Sequence, residues 1–513
     1  MQGTEFTLSE RDEAGKETAV YVFNRNGKKL PTNIVHSTPL QYVSVTRLLR
    51  GIFLPVGFPN SVSDDYLRYQ ILNACQAFCS SLAGLLASRA VLEGHGVGNA
   101  DASATDALLL TILQDIYSRL CTIISAYYLG TSLYPEAKTY RLLADILNDI
   151  ALVLDSLSPH LSTLTFNLLR SPNFPFISLS LAHRPGPLRA IALCLSGVFR
   201  AICGVVAGGS KAALTLHFAQ PVNDKERGDV GDLSAKDGSK ETVLALFGML
   251  CGSALMPYVT DAWTTYTLLA TLLVAHILLN YAAVRGVVLR SLNRQRAGLL
   301  WSAYRRDPSN LLLLTPSSIA QKERIFSEPS ELYDSSRLPE RREVTGYCQV
   351  GAPLSSILLG TQSWFKFGPN DPAKWTDNLT SAQILTLLDT FSSENFIVWL
   401  SRDIHPKSNP LLHIILKEGH TSSDHLKAWT LATEFSSRIA HSPLKIGTHR
   451  HRFDDLLETL QSAKETVDEL YPGFCEAIKK EGWDLGAAAG GFVTGLPTTV
   501  SIQSGVGEDK KSA

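Results

Sequence analysis

Ionisable side chains are sparse between residues 40 and 300 of this 513-residue chain, and the few present recur at helical spacings. Arg141, Asp145 and Asp149 are successively four apart, which places a base and two acids on one helix face. His276 and Asn280 are also one turn apart, on the 23-residue run AWTTYTLLATLLVAHILLNYAAV (262–284), which has no formal charge. The octapeptide AKDGSKET (235–242) brings Lys236, Asp237, Lys240 and Glu241 to the mouth of the uncharged run VLALFGMLCGSALMPYV. In an apolar bundle such groups are costly unless paired, so they mark candidate sites for a polar ligand. The candidate ligand-binding set is Asp115, Asp145, His217, Lys236, Asp237, Glu241, His276 and Asn280. The competing reading is satisfied polar contact within a helix bundle. For the octapeptide it is capping: Asp237 or Ser239 would start a helix near Lys240, with Glu241 in its first turn.

No residue pattern points to catalysis. GVVAGGSK (204–211) approaches a phosphate loop, but alanine follows its lysine and no strand precedes it, so small residues for close helix packing explain it better. A Gly-x-Ser-x-Gly elbow is absent, and GHGVG (94–98) reads as a turn between helices. Cys75 and Cys79 share a helix face but lack two further zinc ligands at matching spacing. The eight cysteines lie mostly in apolar runs, as buried thiols of a reducing compartment do. Neither a metal nor a cofactor is expected. Net charge is −1, which offers no field for nucleic acid.

Long apolar segments must position these residues. With 45% apolar and 19% charged residues, the chain fits a greasy part joined to a water-soluble one. Helical patterns cover 63–90, 107–130, 140–157, 188–216, 243–259 and 262–284. The last is the strongest span for a bilayer of about 30 Å, and two or three firm spans are expected. Arg285, Arg290, Arg294, Arg296, Arg305 and Arg306 follow it, so this end should face the cytoplasm. A buried helix of a large soluble bundle is the alternative. The polar, acidic N-terminus has neither a secretory signal nor a transit-peptide pattern, so an intracellular membrane is expected.

The expected fold is mainly α. It comprises an extension (1–39, with a strand at TAVYVF and a turn at Asn26-Gly27) and an apolar multi-helix bundle (40–300). A Pro- and Ser-rich linker (301–350), a small α+β domain (351–475) and a flexible tail (476–513) follow. ENFIVWLSR and PLLHIILKE supply strands of the small domain, and helices follow over 422–439 and 453–470.

The bundle also matches itself at an offset of 122 residues without a gap. Ser88 meets Ser210, Arg89 meets Lys211, His95 meets His217, Asp115 meets Asp237, and Pro135 meets Pro257. This predicts an internal two-fold repeat of halves near 50–160 and 175–290, with Asp115 and Asp237 near a pseudo-symmetry axis.

LLRGIFLPVGFPNSVSDDYLRYQ (48–70), QAFCSSLAGLLASRAVLEGHGVG (76–98), AKTYRLLADILNDIALVLDSLSP (137–159), GGSKAALTLHFA (208–219), AKDGSKET and HILLNYAAVRGVVLRSLNRQRA (276–297) resemble, in order, blocks of the root UVB sensitive family. That family is also named for vitamin B6 photoprotection and homoeostasis. Departures are Gln114-Asp115-Ile116, where Lys-Asp-Gly is usual, Asn73 in place of an acid, and a long 221–234 connection. The resemblance implies a link to vitamin B6 status and UV-B response, membrane association and protein partners that include paralogues. It brings no established reaction. A vitamin B6 link also draws attention to Lys211 and Lys236 as Schiff-base candidates, although neither a phosphate cup nor a ring-nitrogen partner can be assigned. The leading expectation is a non-enzymatic, membrane-associated regulator or scaffold. The alternative is a small-molecule carrier with its site between the repeated halves.

Overall fold

A computed structural model describes residues 5–11, 17–24, 33–37, 45–97, 104–169, 187–220, 228–334, 343–358, 379–401, 409–441, 453–485, 492–493 and 497–501. The chain forms two compact units, 1–126 with 140–287 and 127–139 with 288–513.

The first unit opens with an antiparallel sheet of β1 (Glu5–Arg11), β2 (Glu17–Asn24) and β3 (Asn33–Ser37), in that order. The β-branched and aromatic run TAVYVF makes the central strand, with Leu8 opposite Tyr21 and Val20 opposite His36. A single strand was expected here, and alternation along one run does not reveal its two partners. The expected Asn26-Gly27 turn lies outside the described residues.

Helices then take over. A short α1 (Val45–Phe53) precedes α2 (Tyr66–Gly94), α3 (Ala104–Leu129), α4 (Ala137–Leu169), α5 (Pro187–Phe218), α6 (Val230–Leu255) and α7 (Ala262–Arg285). α2, α3, α5, α6 and α7 are each long and apolar enough to cross a membrane, against the two or three firm spans expected. α3 is the extreme case, with only 6% of its apolar window buried within the protein.

One expectation is corrected. AKDGSKET does not start a helix; it lies inside α6, which begins at Val230. Asp229 has extended backbone and caps the helix, its carboxylate accepting from Gly231 N at 2.7 Å and Asp232 N at 3.3 Å. Such a cap contributes about 1 kcal/mol. The charged stretch stays helical because each of its charges finds a partner on another turn or another element.

Pairwise contacts set the helix directions. α2 and α6 run parallel: Tyr66 meets Asp237, Ser81 Oγ donates to Ala245 O at 3.1 Å, and Leu82 and Leu85 meet Gly252. A Cβ on Gly248 would come within 2.7 Å of Ser81 Cβ, so glycine there permits the close approach. α2 and α7 are antiparallel, with Arg68 beside Gly286 at one end and Arg89 Nη1 donating to Val259 O (2.5 Å) at the other. α2 and α5 are antiparallel too: Ser63 N donates to Phe218 O (3.0 Å), and Arg189 lies against Gly94. α4 and α7 run antiparallel, from Asp145 beside Asn280 to Ser156 O, which accepts from Tyr266 Oη at 3.3 Å.

The second unit is an α+β domain. Its chain order is α8 (Arg294–Arg306), α9 (Pro316–Lys322), β4 (Glu331–Asp334), β5 (Glu343–Val350), α10 (Ser355–Leu358), α11 (Ser381–Thr390), β6 (Phe396–Leu400), β7 (Leu411–Lys417), α12 (Ser422–His441), α13 (Phe453–Lys480) and β8 (Thr499–Val500). The sheet order is β4-β5-β7-β6, with β8 pairing β7. β5 and β7 are parallel, while β6 and β7 are antiparallel. All five β6 residues and the last six of β7 are buried, which is why both read as continuous apolar runs. α12 presses Trp429 and Phe435 into this core, and α8 adds Trp301. Residues 301–350, expected as linker, hold β4 and β5. The expected tail supplies β8.

Candidate functional site

The eight candidate residues fall into three places. Asp145, His276 and Asn280 come together between α4 and α7. Arg141 Nη1 pairs with Asp145 Oδ1 at 2.8 Å. Asn280 Nδ2 donates to the other Asp145 oxygen. One turn along, His276 Nδ1 lies 2.8 and 3.0 Å from the two oxygens of Asp149. A carboxylate only accepts, so this ring nitrogen carries the proton. α2 closes the cluster: Arg141 Nη2 donates to Asn73 Oδ1 (3.1 Å), and Arg141 Nε to Tyr69 Oη (3.3 Å). Asn73 Oδ1 also accepts from Gln76 Nε2 at 3.0 Å. His276 and Asn280 are each only 1% exposed. Asn280 Oδ1 is buried and accepts no hydrogen bond, and the buried Asp149 Oδ1 has the His276 ring nitrogen beside it. A cleft of about 280 Å³, lined by Ile146, Asp149, Ile150, Val153, Leu154 and Ile277, abuts the pair.

Lys236, Asp237, Glu241 and His217 lie around the first half of α6. Asp237 Oδ1 accepts from Tyr66 Oη (3.0 Å) and from Lys240 Nζ (2.8 Å), and that ammonium also donates to Tyr66 Oη at 2.6 Å. Lys236 donates to Gly51 O. Lys211 on α5 grips both Glu241 oxygens at 2.8 and 2.9 Å. His217 Nε2 reaches Asp65 Oδ2 at 3.0 Å instead of meeting Asp237. These closed contacts tie α1, α2, α5 and α6 together. Asp115 stands apart, exposed on α3, and does not meet Asp237.

Sequence reasoning missed Tyr69, Asn73 and Gln76 as parts of the α4–α7 cluster. Their signal was available: Tyr69, Asn73 and Gln76 are three or four apart and share one face of α2. It also missed Asp155, which is 3% exposed and pairs with Arg200 at 2.5 Å.

The second unit has its own buried ion group. Glu323 accepts from Lys138 at 2.6 Å and from Arg296 Nε at 3.1 Å. Burial alone would raise its pKa, but Arg296 and Lys138 outweigh burial and lower it. Nearby Glu136 is pushed up by burial, which Arg296 only partly offsets. His425 is held to about 4 by burial and by neighbouring His420, 2.7 Å away. Among the described residues no group of three or more His, Cys, Asp and Glu is placed to hold a metal.

A bundle of apolar helices with a buried polar cluster, joined to an α+β unit, is the class of protein the geometry defines. Residues 40–307 match the profile of the vitamin B6 photo-protection and homoeostasis domain, and the chain belongs to that family. It is 34% identical over 291 residues to RUS family member 1 of Dictyostelium discoideum, covering 56% of this chain and 49% of that protein. It is 30% identical over 318 residues to root UVB sensitive 3 of Arabidopsis thaliana, covering 61% and 63%. Root UVB sensitive 2, chloroplastic, of the same plant is 22% identical over 466 residues, covering 90% and 88%. The chain thus spans about half of the first of these relatives and less than two thirds of the second. No solved structure matches it.

Proposed function

We propose that this protein resides in a membrane, serves vitamin B6 homoeostasis and UV-B response without catalysing a reaction, and acts as a carrier of a small molecule. The single observation that carries this reading is the Arg141–Asp145–Asn280 and Asp149–His276 cluster. Ionisable groups buried at the crossing of helices that are otherwise apolar usually mark a substrate or ion path.

The helix order is compatible with an inverted repeat of the two halves, which would support the same reading. Shifted by 122 residues, α2, α3 and α4 fall on α5, α6 and α7 to within a few residues at their starts. The pairings exchange in the same way: α2 packs on α6 and α7, while α5 packs on α3 (Gln114 and Ser118 against Gly197) and on α4 (Ser196 Oγ to Ala151 O). The first helices of the halves are antiparallel, and so are the third. Three helices per half require this inversion if each spans, and carriers of that design bind between their halves.

The scaffold reading, with a relative of the same family as partner, keeps one support. Asp115 and Arg119 are exposed one turn apart near the middle of α3, and neither forms an ion pair with a described residue. In a bilayer such charges call for a covering helix. A chain that stays monomeric in membranes removes that reading.

The test is reconstitution into vesicles. The protein should resist extraction by alkaline carbonate and raise uptake of B6 vitamers above that of protein-free vesicles. The double change Asp145→Asn with His276→Asn should remove the increment. Release by carbonate, or uptake no faster than in empty vesicles, sinks the carrier.

A further inference from the structure

Two carboxylates, one guanidinium and one imidazole are enclosed where α2, α4 and α7 meet. Arg141 balances Asp145. With His276 neutral, Asp149 leaves the group one negative charge in excess. An unbalanced ion in such surroundings is strongly disfavoured.

Among the described residues the surrounding elements supply no other counter-charge. On α2 the facing groups, Tyr69, Asn73 and Gln76, are neutral. Arg68 and Arg89 of α2 lie near the ends of α7, against Gly286 and Val259. On α5, Cys203 lies in the field of Asp145, Arg141 and Asp149, and Arg200 is committed to Asp155. Glu241 of α6 is held by Lys211. On α4 and α7 themselves the charged and titratable groups at this level are Arg141, Asp145, Asp149 and His276. A proton is therefore the counter-charge within reach.

We infer that the Asp149–His276 pair binds one exchangeable proton, and that this proton is the ion coupled to ligand passage through the site. The inference rests on the carrier reading. In the protonated state a proton sits on each imidazole nitrogen, His276 is an imidazolium against the Asp149 carboxylate, and the cluster is neutral. Releasing the proton from the imidazolium returns the neutral ring and restores the excess charge. That charge is tolerated once water or a hydrogen-bond-donating ligand reaches the Asp149 carboxylate, whose neighbouring donor is His276 Nδ1, and Asn280 Oδ1, which accepts no hydrogen bond. The cleft abutting Asp149 is lined by α4 and by Ile277 of α7, which is the side from which water or a ligand would reach the pair.

The experiment uses the full chain in phosphatidylcholine vesicles with radiolabelled pyridoxine, with and without a pH gradient. One proton per ligand lets a gradient of about one pH unit support up to roughly tenfold accumulation. The readout is the ratio of uptake with the gradient to uptake without it. That ratio should fall to that of protein-free vesicles in His276→Asn and in Asp149→Asn. Wild-type uptake that exceeds empty vesicles but ignores the gradient overturns the coupling and leaves the carrier standing. Absence of any uptake overturns the carrier. Proton binding is then decided by potentiometric titration of purified protein between about pH 4 and 9, where carboxylates and imidazoles titrate. The folded double variant Asp149→Asn/His276→Asn should bind one proton fewer than wild type, and equal titration overturns the proton site.

Discussion

At the scale of single residues, burial decides what a charge does. Glu323 is held by two cations, and removing one member of such a buried set leaves the others unbalanced. Glu323→Gln should cost about 3–5 kcal/mol, read from chemical denaturation of the second unit. The pH dependence has a definite sign. The folded pKa of Glu323 lies below its ordinary value of 4.5, so its stabilisation is complete above that value. It fades as pH falls through the folded pKa, because the unfolded chain binds the proton first. Wild type should therefore lose stability below about pH 4.5 more steeply than Glu323→Gln does. Equal slopes would show that the ion group contributes nothing. The sequence displayed Glu323, Lys138 and Arg296 without linking them: 185 residues separate the lysine from the glutamate, and no local pattern spans that distance.

At the scale of elements, α6 shows the limit of local rules. Asp237, Gly238 and Ser239 look like the start of a helix, and locally that reading is sound. The helix starts at Val230 because Asp229 caps it and because Tyr66, Lys211 and Gly51 satisfy the octapeptide's charges. Those partners are remote in sequence. Farther along, α6 meets α2 at Gly248 and Gly252, where a side chain would collide with Ser81 and Leu85. Gly248→Leu should push the helices apart and destabilise the first unit by about 1–3 kcal/mol, seen as a lower thermal midpoint in detergent. A midpoint equal to wild type would mean that the two helices are not packed there. The strands β6 and β7 and the helices α12 and α13 were legible from their apolar runs and periods. β8 was not, because a two-residue strand gains its identity only by pairing with β7.

At the scale of the whole molecule, the direction of each helix is the informative quantity. If α2 to α7 all span, the starts of α2 and α5 lie on opposite sides of the membrane. Single cysteines placed at positions 64 and 188, in a variant without native cysteines, should react with an impermeant reagent from opposite faces. Labelling of both from one face would rule out the proposed inverted repeat and weaken the carrier reading.

The sequence by itself determined the family, through ordered blocks along residues 40–300, and the apolar helical character of that region. It also determined the residues worth suspecting, because a charge in an apolar run is conspicuous wherever the run ends up. Only the tertiary structure decided which suspects meet. His276 and Asp149 are 127 residues apart, and Asp145 and Asn280 are 135 apart. The same structure left Asp115 on an exposed face, although the sequence offset had paired it with Asp237. Periodicity fixes the face of a helix on which a side chain lies. The packing of one helix against another fixes what that face sees, and packing depends on contacts that no local window contains.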